Sequence, residues 1–243
     1  MTRIFTPTQL SLFSISHLGS WWEEFNIHKK FTIKLPKPTE LESRLIVEGD
    51  NHEKKLLEKF KEDKKEIVDL GKLSLSQEEK YFKTIEFMKE GKDIIYQGAL
   101  KNQFIKGNAD FLLKVEGSSH LGNWSYEPIE CKLASKSKTT FLIQACCYCD
   151  LLTEVLGSKP QLFHLYLGGG SKLNDYTYKF SDFECWYNEL KNEYIKFIDN
   201  FDYQKKPDLY PGNHGRWTTY IENLLSETGD LSLVAGMTKY QRN

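Results

Sequence analysis

Between Asp93 and Gly168 the chain carries a fixed order of hydrophobic rhythms, and that order limits the possible folds more than any other stretch. "DIIYQGAL" (Asp93–Leu100), "NADFLLKVEG" (Asn108–Gly117) and "WSYEPIECKL" (Trp124–Leu133) are strand-like runs bounded by Gly, Asn or Ser. "TTFLIQACCYCDLLTEVLG" reads as a helix capped near Ser137 or Thr139 and closed by Gly157, and "PQLFHLYLG" as a short, buried strand. Tight turns join antiparallel neighbours, whereas a helical crossover joins parallel ones. The expectation is an α/β chain with a three-stranded meander, a helix and a fourth strand in one mixed sheet.

The flanks read as helical. "FTPTQLSLFSISHLGSWWEEF" offers Thr6 as N-cap, Pro7 at the first turn, and Leu10, Phe13, Ile15, Leu18, Trp21 and Trp22 for burial, which predicts one helix packed on the core. "LPKPTE" (Leu35–Glu40) is a connector. "NHEKKLLEKFKEDKKEI" places Leu56, Leu57 and Phe60 on one stripe of a surface helix, with His52 in its first turn. "SLSQEEKYFKTIEFMKEGKD" predicts a third helix, capped by Ser74 or Ser76, striped by Tyr81, Phe82, Ile85 and Met88, and stopped by Gly91. Asp175–Phe180 reads as an edge strand, Ser181–Phe201 as a helix, "LGGGS" (Leu167–Ser171) as a turn, and "YPGNHGRW" as a loop before a last short helix. One domain over 1–243 is expected, with a helical part (1–48), a core (49–200) and a C-terminal segment and tail (201–243).

Glu130 and Lys132 raise a question of chemistry. If Ile129–Leu133 is a strand, those two share a face opposite Ile129, Cys131 and Leu133. The ordinary reading is a half-buried strand showing charge to water. Asp110, between Ala109 and Phe111 in the preceding strand, gives another reading, since a meander can set it beside Glu130. Adjacent carboxylates repel unless a cation joins them, and Mg²⁺ or Mn²⁺ prefers oxygen ligands. The Cys131 backbone carbonyl is a candidate third ligand, and Lys132 lies where it can neutralise charge on a phosphate.

The ordered set of His52, "GNADFL" with Asp110, "IECKL" with Glu130 and Lys132, and "QACCY" with Gln144 and Tyr148 resembles the RecB-like branch of the PD-(D/E)XK nuclease superfamily. "IYQGAL", "WSYEPIECKLA" and "LSLVAG" resemble a subgroup often fused ahead of a helicase, and the likeness runs from about Thr6 to Gly236. The resemblance implies a restriction-endonuclease-like core flanked by helices. It also implies a metal-dependent DNA nuclease of repair, recombination or defence that hydrolyses phosphodiesters through a metal-activated water. His52, Asp110, Glu130 and the Cys131 carbonyl are then the metal ligands and Lys132 the catalytic lysine. Gln144 and Tyr148 match the Gln-x-x-x-Tyr motif, sharing a helix face from which they can reach the Lys132 amine or the DNA. The alternative is a weak or inactive DNA-binding or assembly module of a helicase–nuclease system. Replacing Glu130 or Lys132 is expected to abolish cleavage with little effect on folding.

Several relatives of that branch hold an iron-sulfur cluster on four cysteines. Here the corresponding places carry Ser14, Ile15 and Ser16 and then Gly212, Gly215 and Ile221, so the expectation is no cluster. Cys146, Cys147 and Cys149 radiate around one helix and read as small buried side chains. The formal net charge of −1 gives no global attraction for a polyanion, so DNA must meet local lysines, for which Lys101, Lys106, Lys136 and Lys138 are candidates beside a plain solvated surface. Five cysteines, an odd number, and an opening without a basic segment ahead of an apolar run point to a cytoplasmic setting. No apolar stretch is expected to approach the roughly 20 residues that cross a bilayer.

Overall fold

In the computed structural model, which describes residues 3–28, 33–168 and 174–234, helix starts follow reciprocal caps. Thr6 accepts from the Gln9 N–H at the head of α1 (Pro7–Ile15), and the Gln9 side chain accepts from the Thr6 N–H. The helix does not run on to Trp22 as expected. Ser16 is extended (φ −155°, ψ 103°), and α2 (His17–His28) starts anew behind it. The break has a tertiary cause. Ser16 Oγ accepts from the Gly19 N–H at 2.7 Å and meets His214 Nδ1 at 2.6 Å, and a Cβ at Gly19 would lie 2.9 Å from the His214 carbonyl oxygen.

Thr39 and Glu42 form a second capping box, opening α3 (Glu40–Glu62). The helix therefore starts well ahead of Asn51, His52 lies in its middle, and the boundary expected after residue 48 falls inside it. Its N-terminal half buries almost nothing: Leu41, Leu45, Ile46 and Val47 are exposed. Apolar residues without a buried face give no helical stripe to read. Beyond α3 a three-residue strand, β1 (Ile67–Asp69), takes the end of the expected helix. Ser76 and Glu79 cap α4 (Gln77–Glu90), which Gly91 closes in the left-handed conformation (φ 70°). Phe82, assigned to the buried stripe, is 59% exposed.

The meander follows as β2 (Ile94–Lys101), β3 (Lys106–Ser119) and β4 (Gly122–Lys132). Next come α5 (Thr139–Leu156), β5 (Leu162–Leu167), β6 (Asn174–Lys179), α6 (Glu184–Asp199) and α7 (Thr218–Glu227). Lys138 occupies the cap position of α5, with no side-chain cap bond. The six strands form one mixed sheet in sequence order, parallel at β1–β2 and β4–β5 and antiparallel elsewhere. The crossover through α5 is thus the parallel connection the sequence called for. Leu56 and Leu57 of α3 cover one face, against Ile94, Phe111, Ile129, Cys131 and Tyr166. The other face packs on α1, α4, α5 and α6 through residues such as Phe13, Met88, Leu151 and Tyr187.

Helix α5 has the length and composition to cross a membrane, contrary to the expectation that no stretch comes close, yet half of it is buried in this body. Each fully buried Leu of that helix, such as Leu151 or Leu152, contributes about 1.5–3 kcal/mol to packing. A separate small core joins the ends of the chain: Leu18, Trp21 and Trp22 meet Trp217, Ile221 and Leu225.

Candidate metal centre

Asp110, Glu130, Cys131 and Lys132 lie where two strands part. Pairing of β3 with β4 runs as far as Phe111↔Ile129, beyond which β4 continues only along β5, from Ile129↔His164 to Lys132↔Leu167. Asp110 fills the fork: its Oδ2 accepts from the Cys131 N–H at 2.8 Å, where a ladder bond would otherwise form. In a strand the N–H and C=O of one residue leave toward the same edge, so the Cys131 carbonyl faces this fork as well. Alternation holds for the next residues. Ile129 and Cys131 join the core under α3, so Glu130 and Lys132 point to the face that α5 covers.

Glu130 is not shown to water. It is 3% exposed, its Oε1 is paired with Lys132 Nζ at 2.5 Å, and its Oε2 is buried with no hydrogen-bond partner. Burial pushes the Glu130 carboxyl above its ordinary range against the pull of Lys132. The Asp110 carboxyl is pushed well up by burial first and then by Glu130, with Lys132 and the Cys131 N–H opposing. For Lys132, burial alone disfavours the ammonium, but the charges of Glu130 and Asp110 outweigh it and the net direction is up. Two acids and one amine therefore share a poorly hydrated space that favours the protonated forms of the acids.

Helix α3 covers the other face of the sheet. His52, 3% exposed, donates from Nε2 to the Tyr166 carbonyl of β5 at 3.0 Å, which leaves Nδ1 as the lone pair of the neutral ring. The ring fits only because residue 168 is glycine, since a Cβ there would overlap it. Its neighbour Glu53 points to β2 instead and accepts from Tyr96 and Gln97. In the sequence Glu53 offers one signal, an acid beside a candidate histidine.

Gln144 and Tyr148 do share a face of α5. The Tyr148 hydroxyl donates to the Asn108 carbonyl at 2.6 Å, bracing β3. Gln144 Oε1 is buried without a partner, and the side chain lines a cleft of about 460 Å³ with Thr6, Gln9, Thr140 and Arg216. The lysines scatter. Lys101 is tied to Glu78 at 2.6 Å and lies over Tyr81, and Lys138 lies over Phe141. Lys106 and Lys136 are exposed, Lys106 on the wall of a second cleft that includes Asn108.

The positions named for cluster ligands do other work. Ser14 donates to the Ser11 carbonyl, Ser16 accepts from Gly19 and pairs with His214, and Ile221 is core. Glu23 adds a clasp, accepting from Arg216 Nε and Trp217 Nε1, each at 2.8 Å. All five cysteines are free. Burial pushes the Cys146 thiol up to about 12 and those of Cys147 and Cys149 well up, as for inert core side chains. In "LGGGS" the residues after Gly168, like those after Val234 in the tail motif, lie outside the described residues. Among the described residues no three His, Cys, Asp or Glu side chains converge tightly enough to hold an ion by themselves. No protein-family model matches the chain, and no curated protein matches it.

Proposed function

We propose that the chain is a Mg²⁺- or Mn²⁺-dependent deoxyribonuclease of the RecB-like branch of the PD-(D/E)XK superfamily, with a restriction-endonuclease-like core. The observation that carries the proposal is the unpartnered Glu130 Oε2, buried beside Asp110 and Lys132 in the β3–β4 fork. An anionic oxygen without a donor is costly in a protein interior and calls for a cation or a proton. The residues fit a hard cation of the magnesium type, which binds through one or two carboxylates and retains several waters. Asp110, Glu130 and the Cys131 carbonyl would hold it, and Nδ1 of His52 is the ring nitrogen left for that role. When bound, such an ion lowers the pKa of water and neutralises charge on phosphate.

The chain's own groups do the rest. Lys132, kept as an ammonium by its acidic neighbours, sets a fixed positive charge toward the phosphate oxygens. Tyr148 holds β3, and with it Asp110, against α5. In the hydrolysis a water oxygen forms the new P–O bond, the bridging P–O bond breaks, and a proton ends on the leaving oxygen. A cytoplasmic partnership with a helicase in DNA repair, recombination or defence belongs to the same proposal.

A second reading, a DNA-binding or assembly module without turnover, is favoured by the Lys132 amine being closed onto Glu130. The test is a cleavage panel on labelled single strands, duplexes and forks with Mg²⁺ or Mn²⁺, beside Glu130→Ala. Metal-dependent cleavage that the variant loses supports the nuclease. DNA binding without cleavage under either ion favours the module, and neither binding nor cleavage sinks both.

A further inference from the structure

The sheet ends in two edges, β1, only three residues long, and β6 (Asn174–Lys179), which among the described strands pairs with β5 alone. An edge strand carries a row of unpaired N–H and C=O groups ready to bond another strand. Register tells which residues of β6 carry them. In an antiparallel pair both groups of one residue leave toward the same side, and successive residues alternate. The Phe180 N–H donates to the Gln161 carbonyl at 3.0 Å, in step with Leu162↔Lys179, so Phe180, Tyr178 and Tyr176 are turned to β5. Asp175, Thr177 and Lys179 therefore turn their backbone groups outward, and all three residues are exposed.

Charges on an edge usually deter pairing. Here they have opposite signs and stand symmetrically about Thr177. Laid antiparallel on itself about that residue, β6 sets Asp175 opposite Lys179 twice, Tyr176 opposite Tyr178 twice, and Thr177 opposite Thr177. The outward backbone groups agree with this register, because Asp175, Thr177 and Lys179 then meet only one another and each pair can exchange both its bonds. A shift of one residue would set outward groups against inward ones, and a shift of two would part Asp175 from Lys179. The aromatic pairs gain as well: Tyr176, 39% exposed, lies on the face where Tyr178 packs with Phe163 and Phe183, so Tyr178 of a second copy would cover it.

We infer that β6 is a docking edge for a second copy of this chain, giving a two-fold dimer in which the sheet of one copy runs on into that of the other. Charge selects the occupant: an arbitrary strand meets an unpaired acid and an unpaired amine, whereas an antiparallel copy satisfies both. The two-fold axis passes between the two Thr177 residues, perpendicular to the sheet, so α5 lies on the same face in both halves. On that face the two Glu130 carboxylates are five strand spacings apart, roughly 24 Å. One short strand is a small interface, so the dimer exchanges with monomer at about micromolar concentrations. The inference does not depend on the proposed function.

The test is sedimentation velocity of the full chain over about 1–300 µM, a range in which the native protein is expected to pass from monomer to dimer. Asp175→Lys and Lys179→Asp each exchange two opposite-charge contacts for two like-charge ones, and each is expected to weaken the dimer about 10- to 100-fold with an unchanged melting temperature. Mixed in equal amounts, the two variants are expected to pair with each other as well as native chains do, because the mixed dimer restores both ion pairs. Thr177→Cys, in a Cys185→Ser background that removes the exposed thiol, is expected to oxidise to a covalent dimer, since facing residues of a bonded pair lie about 5.5 Å apart, within disulfide reach. A native chain that stays monomeric over the whole range overturns the inference. So does a dimer that both charge changes leave intact, or a pair of weakened variants that mixing does not rescue.

Discussion

Replacing Asp110 by Asn ought to make the metal-free protein more stable, which is the opposite of the usual result of altering a buried, hydrogen-bonded residue. Asp110 and Glu130 crowd the single amine of Lys132, and burial withholds the water that would screen them. The Asn side chain is nearly isosteric, and its oxygen can still accept from the Cys131 N–H, so the bond at 2.8 Å is kept. What is lost is one poorly compensated charge, a change of about 1–3 kcal/mol for a buried group of this kind. In a chain of 243 residues this corresponds to a rise of roughly 2–12 °C in Tm. Mn²⁺ reverses the comparison, because binding at about 100 times Kd stabilises the native protein by about 2.7 kcal/mol and the variant hardly at all. The sign with pH follows from the same charges. Both carboxyls titrate above their ordinary values in the folded state, so the stability these two groups contribute is fully present at low pH and is lost as pH rises through their folded pKa values. The advantage of the variant in EDTA is therefore largest near neutrality and shrinks toward acid. Calorimetric melting in EDTA and in Mn²⁺ at several pH values reads all of this. A variant that melts below the native protein in EDTA, with equal Mn²⁺ shifts for both, would refute the reasoning.

Lys132→Met strands Glu130 as a buried, unpaired acid, and the expected cost is about 3–5 kcal/mol in urea unfolding together with loss of cleavage. That departs from the sequence-based expectation of an intact fold, and the added change Glu130→Gln is predicted to restore most of the stability without activity. Ser16→Ala leaves the Gly19 N–H and His214 Nδ1 without their partner, for about 1–3 kcal/mol, and hydrogen exchange is expected to rise in α2 and α7 before it rises in the sheet. Gly168→Ala drives a methyl group into the His52 ring, so about 1–3 kcal/mol of overpacking is expected by thermal melting, with weaker Mn²⁺ binding if Nδ1 of His52 serves the ion.

Local signals carried the sequence reading as far as local signals can. The caps at Thr6 and Ser76, the left-handed glycines at 91 and 157, and the meander followed by a crossover are all set by residues close together in the chain. The elements that were missed are those decided from a distance. Nothing between Thr6 and Phe25 announces a break at Ser16, because its cause is His214, which arrives almost two hundred residues later. The start of α3 was passed over because Leu41, Leu45, Ile46 and Val47 bury no face, although Thr39 and Glu42 spell a capping box that could have been read.

The site divides in the same way. Alternation tells which face Glu130 takes but not whether water reaches that face; the answer depends on α5, α1 and the strands on either side. A strand pair that displays its charges needs no partner, whereas a carboxyl 3% exposed with one oxygen unpartnered calls for a proton or a cation. Glu53 required more still. Its bond to β2 depends on a left-handed Gln97, and no propensity scale favours glutamine there. What ties the N-terminal helices to the C-terminal ones is also set from a distance: Trp21, Trp22 and Trp217 pack together, and the Glu23 carboxylate holds Arg216 and Trp217. The clasp therefore ties α2 to the segment from Arg216 to Leu225 by packing and hydrogen bonds alone among the described residues.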